Sequence, residues 1–144
     1  MTAGSVLLGL ICGFIGWILT EFFAKPFRRG LDIGADAQAS MIEYANVSAR
    51  YDAKGQLTEL SDDEEKRLGE AEAKYRRLSA QLYAFARTDR VASRILGLMF
   101  DAEGAATALM QLSNNVGQDG NGRRLATEEA KKALKVELIG SRSY

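Results

Sequence analysis

Val6-Leu7-Leu8-Gly9-Leu10-Ile11-Cys12-Gly13-Phe14-Ile15-Gly16-Trp17-Ile18-Leu19 is the stretch on which the architecture turns, and no charged side chain occurs from Met1 to Thr20. Counted from Gly4 to Phe23, a helix at ~1.5 Å per residue reaches about 30 Å, the hydrocarbon thickness of a bilayer. The rival is a buried helix of a water-soluble fold. There, Gly4, Gly9, Gly13 and Gly16 would each cost ~1 kcal/mol relative to alanine, whereas membrane helices carry glycine readily. A cleaved secretory leader expects a basic start and a small-x-small cleavage site. No Lys or Arg precedes the run, and bulky Phe22 stands two positions before Ala24. The segment 1–25 is therefore expected to be a retained transmembrane anchor.

Lys25, Arg28 and Arg29 follow the span and nothing basic precedes it, which predicts an outside N-terminus and a cytoplasmic C-terminal portion. Trp17, Phe22, Phe23 and Phe27 gather toward the same end, as aromatic rings do at the headgroup level. Pro26, the only proline, lacks an N–H and would clash with the carbonyl of Phe22. The spanning helix is expected to end or kink there, with residues 26–32 as a basic juxtamembrane hinge and residues 33–144 as a helical domain.

Ser5, Gly9, Gly13, Gly16 and Thr20 recur at spacings of four, four, three and four, which puts them on one face of the span, and Gly9 to Gly13 is a GxxxG unit. Small residues let two backbones approach in lipid, where apolar side chains alone give no preference for protein over lipid. The face predicts packing against another span, in a second copy or in a different protein. The common occurrence of glycine in membrane helices explains the same residues more plainly.

Beyond Pro26 the chain is all-α by its periodicity, with nothing that alternates like strands. A first helix is expected over about Ile33 to Tyr51, with Ile33, Ala37, Met41, Tyr44, Val47 and Tyr51 on one face and a stop at Lys54-Gly55-Gln56. The second starts at the capping box Ser61…Glu64, with Asp62, Asp63, Glu64 and Glu65 on the positive end of the helix dipole. Leu68, Ala71, Tyr75, Leu78, Leu82 and Phe85 then follow a heptad. At under three heptads, this face predicts packing inside one chain rather than a coiled coil between chains. A third helix is expected from Thr88 or Asp89 to about Asn114. Its stripe is Ala92, Ile95, Met99, Ala102, Ala106, Leu109 and Ser113, widened by Leu96, Leu98, Phe100, Met110 and Leu112. Arg94, Asp101 and Glu103 exclude it as a second span, since each costs ~2.5 to 3.5 kcal/mol at a bilayer centre. A last short helix is expected to be capped by Thr127 and to carry Ala130, Ala133, Leu134 and Leu138 before Gly140 and the polar end Ser141 to Tyr144. The sum is one anchor followed by a small bundle of about four helices.

The composition argues against most chemistry. Nineteen basic residues balance nineteen acidic ones, so no basic face marks a nucleic-acid partner. There is no histidine, which removes His-based acid/base pairs, Ser-His triads and His metal sites. Cys12, the one thiol, lies within the apolar run. Asn114 to Gly122 is read as a flexible loop. An EF-hand would need an oxygen ligand where Arg123 stands and Glu where Ala130 stands, and a P-loop would need a Gly-Lys-Ser/Thr ending that Gly122-Arg123-Arg124 lacks. Asp101 and Glu103 point in different directions on a helix and are expected at a solvated edge. No catalytic residue, metal site or cofactor is expected.

Thr20-Glu21-Phe22-Phe23-Ala24-Lys25-Pro26-Phe27-Arg28-Arg29, together with Leu109 to Asn115, resembles a recurring type of uncharacterised bacterial single-pass protein. In that type an N-terminal span ends in Phe-Phe-x-Lys-Pro-x-Arg-Arg and precedes a helical cytoplasmic domain. The resemblance implies a bacterial cytoplasmic membrane and carries no activity or site residues with it. The expected role is a membrane-anchored interaction or scaffold protein with the lipid bilayer, and a protein or second copy, as partners. The alternative is a small oligomeric, holin-like membrane-perturbing protein, and a carboxylate-only enzyme would require a cleft.

Overall fold

The computed structural model describes residues 3–135, among which there is no named strand. The expectations for Leu138, Gly140 and Ser141 to Tyr144 lie outside the described residues. Helix α1 (Ala3–Leu19) passes through a five-residue π-helical turn (Thr20–Ala24) into α2 (Lys25–Glu43), so that Gly4–Glu43 is one unbroken helix of 40 residues. The proline is accommodated rather than terminating. The N–H of Lys25 bonds to the carbonyl of Thr20, five residues back, so the ladder is already in the wider register where Pro26, which has no N–H to give, follows it. A π turn is wider than an α turn and makes room for the ring at a single local distortion. Residues 26–32, expected as a hinge, are helical.

Helix α2 therefore begins before Ile33 and ends at Glu43, well short of Tyr51. Ile33, Ala37, Met41 and Val47 are buried as expected, Tyr44 is half-buried, and Tyr51 is 41% exposed in an extended segment. In that segment Asp52 accepts from the N–H groups of Lys54 and Gln56, a side-chain-capped turn closed by Gly55 at φ 77°. Tyr51 is paired with Gly117 and Asp119 through its backbone (N–H to Gly117 O, 3.0 Å; O to Asp119 N–H, 2.8 Å). These bonds tie the segment to the α5–α6 connection.

Helix α3 (Asp62–Thr88) opens with the complete capping box: Ser61 Oγ accepts from the Glu64 N–H, and the Glu64 carboxylate accepts from the Ser61 N–H. Leu68, Ala71, Tyr75, Leu78, Leu82 and Phe85 are all buried. α3 runs antiparallel to α2, as three pairings show. Gly30 abuts Phe85, Lys74 pairs with Asp36 at 2.8 Å, and Ser48 donates to Glu64 at 2.8 Å. The end of α2 that adjoins the apolar segment therefore meets the C-terminal end of α3.

The single long third helix of the sequence reading is two helices, α4 (Arg90–Leu96) and α5 (Ala102–Asn115). Two terminal signals override the periodicity between them. The chain leaves α4 at Gly97, and Asp101 caps α5 by accepting from the Gly104 N–H at 3.0 Å. Of the expected stripe, Ala92, Ala102, Ala106, Leu109 and Ser113 are buried while Ile95 and Met99 are exposed. Of the widening set, Leu96, Phe100 and Leu112 are buried while Leu98 and Met110 are exposed. Alanines at 102, 105, 106 and 108 let α5 approach α3 closely, and buried Ser79 donates to the carbonyl of Ala106 at 2.6 Å across the contact.

Helix α6 (Asn121–Leu134) starts within the stretch expected to be loop, leaving only Val116 to Gly120 as connection. Thr127 is accordingly no cap: it lies inside α6, its hydroxyl donating to the Arg123 carbonyl four residues back. Ala126, Ala130 and Leu134 are buried against the rest of the bundle.

Candidate functional site

Two regions carry the side chains that the sequence singles out or that the packing brings together: the surface of the apolar helix, and a pocket where α2, α3, α5 and α6 meet.

On the apolar helix the structure places Ser5, Gly9, Gly13, Gly16 and Thr20 along one uninterrupted rod. A Cβ added at Gly4, Gly9, Gly13 or Gly16 would meet no atom within 4 Å, so this chain leaves the glycine face open. Thr20 satisfies its hydroxyl by donating to the carbonyl of Gly16 at 2.9 Å, as hydroxyl side chains do inside apolar helices. None of the most apolar window is buried inside the protein. It exposes Leu7, Leu10, Phe14 and Trp17 among others, a contiguous apolar surface of the kind that marks protein or membrane contact. This segment is the one helix among the described residues that is long and apolar enough to cross a membrane.

At its end, Lys25 pairs with Glu21 one turn back at 2.6 Å. Arg28 and Arg29 are exposed and form no ion pair among the described residues. Trp17 stacks on Phe14 (6.1 Å between centroids) and meets Phe22 edge-on (6.3 Å). Phe27 parts from that cluster and is half-buried against the bundle core.

The pocket, of about 280 Å³, was not legible in the sequence. Tyr44 and Tyr75 form its aromatic wall, edge to face at 6.1 Å, with Met41 and Leu112 beside them and Arg123 and Lys131 among its polar lining. Arg123 and Tyr75 bond from it to other elements of the fold. Arg123 donates to the carbonyls of Val47 (2.8 Å) and Ala45 (3.3 Å), which follow the end of α2, and Lys131 pairs with Glu128 at 2.9 Å. The Tyr75 hydroxyl donates to the Ser40 carbonyl at 3.4 Å. Burial pushes the ionisation of Tyr75 up to about 12, Arg123 opposing it weakly. Burial, then the neighbouring charges of Glu43 and Glu70, also raises that of Tyr44. The wall thus holds two phenols, a guanidinium bonded across elements and an ammonium paired within its own helix.

Asp101 and Glu103 are both exposed, the first as the α5 cap and the second paired with Arg87 at 3.2 Å. Among the described residues, no three or more Cys, Asp or Glu side chains gather so as to hold a metal ion. No protein family, curated protein or solved structure matches the chain.

Proposed function

We propose that the protein is a single-pass membrane-anchored interaction protein, its apolar helix held in the bacterial cytoplasmic membrane and its bundle presented on the cytoplasmic side to a protein partner. One observation supports this reading above the others. The same helix is fully uncovered over its apolar half and a core member of the bundle over its other half, so anchor and domain form one continuous body. The positions of Lys25, Arg28 and Arg29 support the orientation. The open glycine face supports association through the span, with a second copy or another single-pass protein.

The test is in-cell photocrosslinking of the full chain from positions on the bundle, followed by pull-down, alongside membrane sedimentation and a leakage assay. A reproducible protein partner in sealed membranes is the expected result. Leaky cells on expression would replace the reading with the holin-like one. A chain that stays in the supernatant without detergent, or a C-terminal tag reached from outside, would overturn the anchor or its orientation. Gly9→Ile with Gly13→Ile is expected to abolish span-mediated crosslinks, and an unchanged pattern would remove the glycine face from the reading.

A further inference from the structure

Helix α4 presents a surface that neither the bundle core nor the apolar helix uses. Ala92 and Leu96 turn inward, and Phe100 continues that buried line. Beside them Val91, Ile95, Leu98 and Met99 form one exposed stripe, Leu98 being 83% exposed. At about 100° per residue these four fall on a single flank of the helix and of the turn that extends it. That turn is held by bonds from the Met99 and Phe100 N–H groups to the Leu96 carbonyl. On the far side of the stripe stand Arg90 and Arg94, exposed and without an ion pair among the described residues. They edge an open groove of about 530 Å³ between α4 and the start of α5, whose other charged lining is Asp101 and Glu103.

The surface lies at the end of the bundle that adjoins the apolar helix. Gly30 lies directly against Leu96 and Phe85, and Gly34 lies against Phe100. α4 is thus strapped to the part of α2 that leaves the apolar segment, immediately beyond Arg28 and Arg29. From Phe23, the end of the apolar span, the helix rises about 10 Å to Gly30 and about 16 Å to Gly34, against a headgroup layer of ~5–7 Å that long side chains can reach across. An apolar stripe bordered by arginines is the composition of a helix lying in the interface plane, its apolar side chains ~5–10 Å into the headgroup and acyl boundary. Arg90 and Arg94 carry positive charge at the edge of the stripe without an ion-pair partner among the described residues. Basic residues at this level are drawn to an anionic leaflet by about 1 kcal/mol each.

We infer that α4 and its following turn dock on the anionic headgroup surface of the bilayer that holds α1. Val91, Ile95, Leu98 and Met99 enter the lipid boundary, and Arg90, Arg94, Arg28 and Arg29 lie against phosphates. The inference rests on the reading of α1 as a membrane span. It gives the bundle a second point of attachment and fixes its tilt.

The experiment uses the full chain carrying Cys12→Ser, with an environment-sensitive fluorophore on either Leu98→Cys or Leu57→Cys, reconstituted in phosphatidylcholine vesicles with and without phosphatidylglycerol. Leu57 is exposed beside Tyr51, at the opposite end of α3 and so about 40 Å away. Flotation reports the span, and quenching by lipid-borne nitroxides reports the docking. The expected result is flotation of both proteins with lipid quenching at position 98 alone, stronger with phosphatidylglycerol. Arg90→Gln with Arg94→Gln lowers the docked-to-undocked ratio by about fivefold per charge removed. Flotation with position 98 open to aqueous iodide overturns the docking and leaves the anchor standing. Shielding from iodide and nitroxide alike overturns it in favour of a protein cover. A chain that does not float overturns both readings.

Discussion

Gly30 of α2 lies so close to Phe85 of α3 that a Cβ built on the glycine would sit 2.5 Å from the ring's Cζ, with the Leu96 methyl group closer still. The glycine is thus the point at which the rod carrying the apolar segment is pressed into the bundle.

Gly30→Ala forces a methyl group against the end of a fully buried ring and the Leu96 methyl, both of which must shift to admit it. Overpacking of this kind costs about 1–3 kcal/mol, against the ~1 kcal/mol that alanine gains in helix propensity. The bundle is expected to lose up to about 2 kcal/mol in denaturant unfolding of the full chain in detergent. Gly69→Ala is the matched control. It faces open space on α3 and is expected to stabilise by up to ~1 kcal/mol, and equal effects at both sites would show that packing at Gly30 is slack.

Arg123 ties α6 to the carbonyls beyond the end of α2 through Val47 and Ala45. Arg123→Met keeps the stem and removes both charge-assisted bonds, with an expected loss of about 1.5–3 kcal/mol. Amide exchange should accelerate first at the segment from Ala45 to Arg50, and protection unchanged there would contradict the role given to the guanidinium.

The capping box carries a pH dependence. Bonds from the Ser61 backbone, then from the Ser48 and Ser61 hydroxyls, hold the Glu64 carboxyl below its ordinary value of 4.5. A depressed carboxylate stabilises the fold above that ordinary value, and the contribution is lost as the pH falls below it through the folded-state value. Glu64→Gln should therefore melt lower than the parent at neutral pH and converge with it in acid. Ser61→Ala is expected to cost about 1 kcal/mol at neutral pH.

Tyr75 behaves in the opposite sense. Its ionisation is raised from 10.0 to about 12, so the neutral fold is favoured below 10 and loses stability as the pH rises through that interval. Tyr75→Phe removes only a long 3.4 Å bond, so its neutral-pH stability should stay within about 1 kcal/mol of the parent. The variant's alkaline decline in Tm should be shallower. An identical decline in parent and variant would place the titration elsewhere.

The sequence is most transparent where one signal acts alone. The α3 heptad from Leu68 to Phe85 reads out the core because every member is buried, and Ser61 with Glu64 marks the helix start without competition. The break between α4 and α5 was hidden because Ile95, Leu98 and Met99 continue a helical apolar spacing while facing outward. The weaker signals at Gly97 and Asp101 decide the matter through local hydrogen bonds. The start of α6 was hidden by Asn121-Gly122, a pair that reads as a turn and here begins a helix. Pro26 ends helices in general, and a one-turn change of winding at Thr20–Ala24 lets this one continue. The pocket wall of Tyr44, Tyr75 and Arg123 comes from three distant segments, so no local pattern announces it.

That continuous winding from Ala3 to Glu43 has a mechanical corollary. A rod without a swivel conveys rotation, so a turn of the apolar half about its own axis must sweep the attached globule through the same angle. One extra residue inserted between the two halves would twist the globule by about 100° and lift it ~1.5 Å. Azimuth, and not mere tethering, is what this linkage preserves.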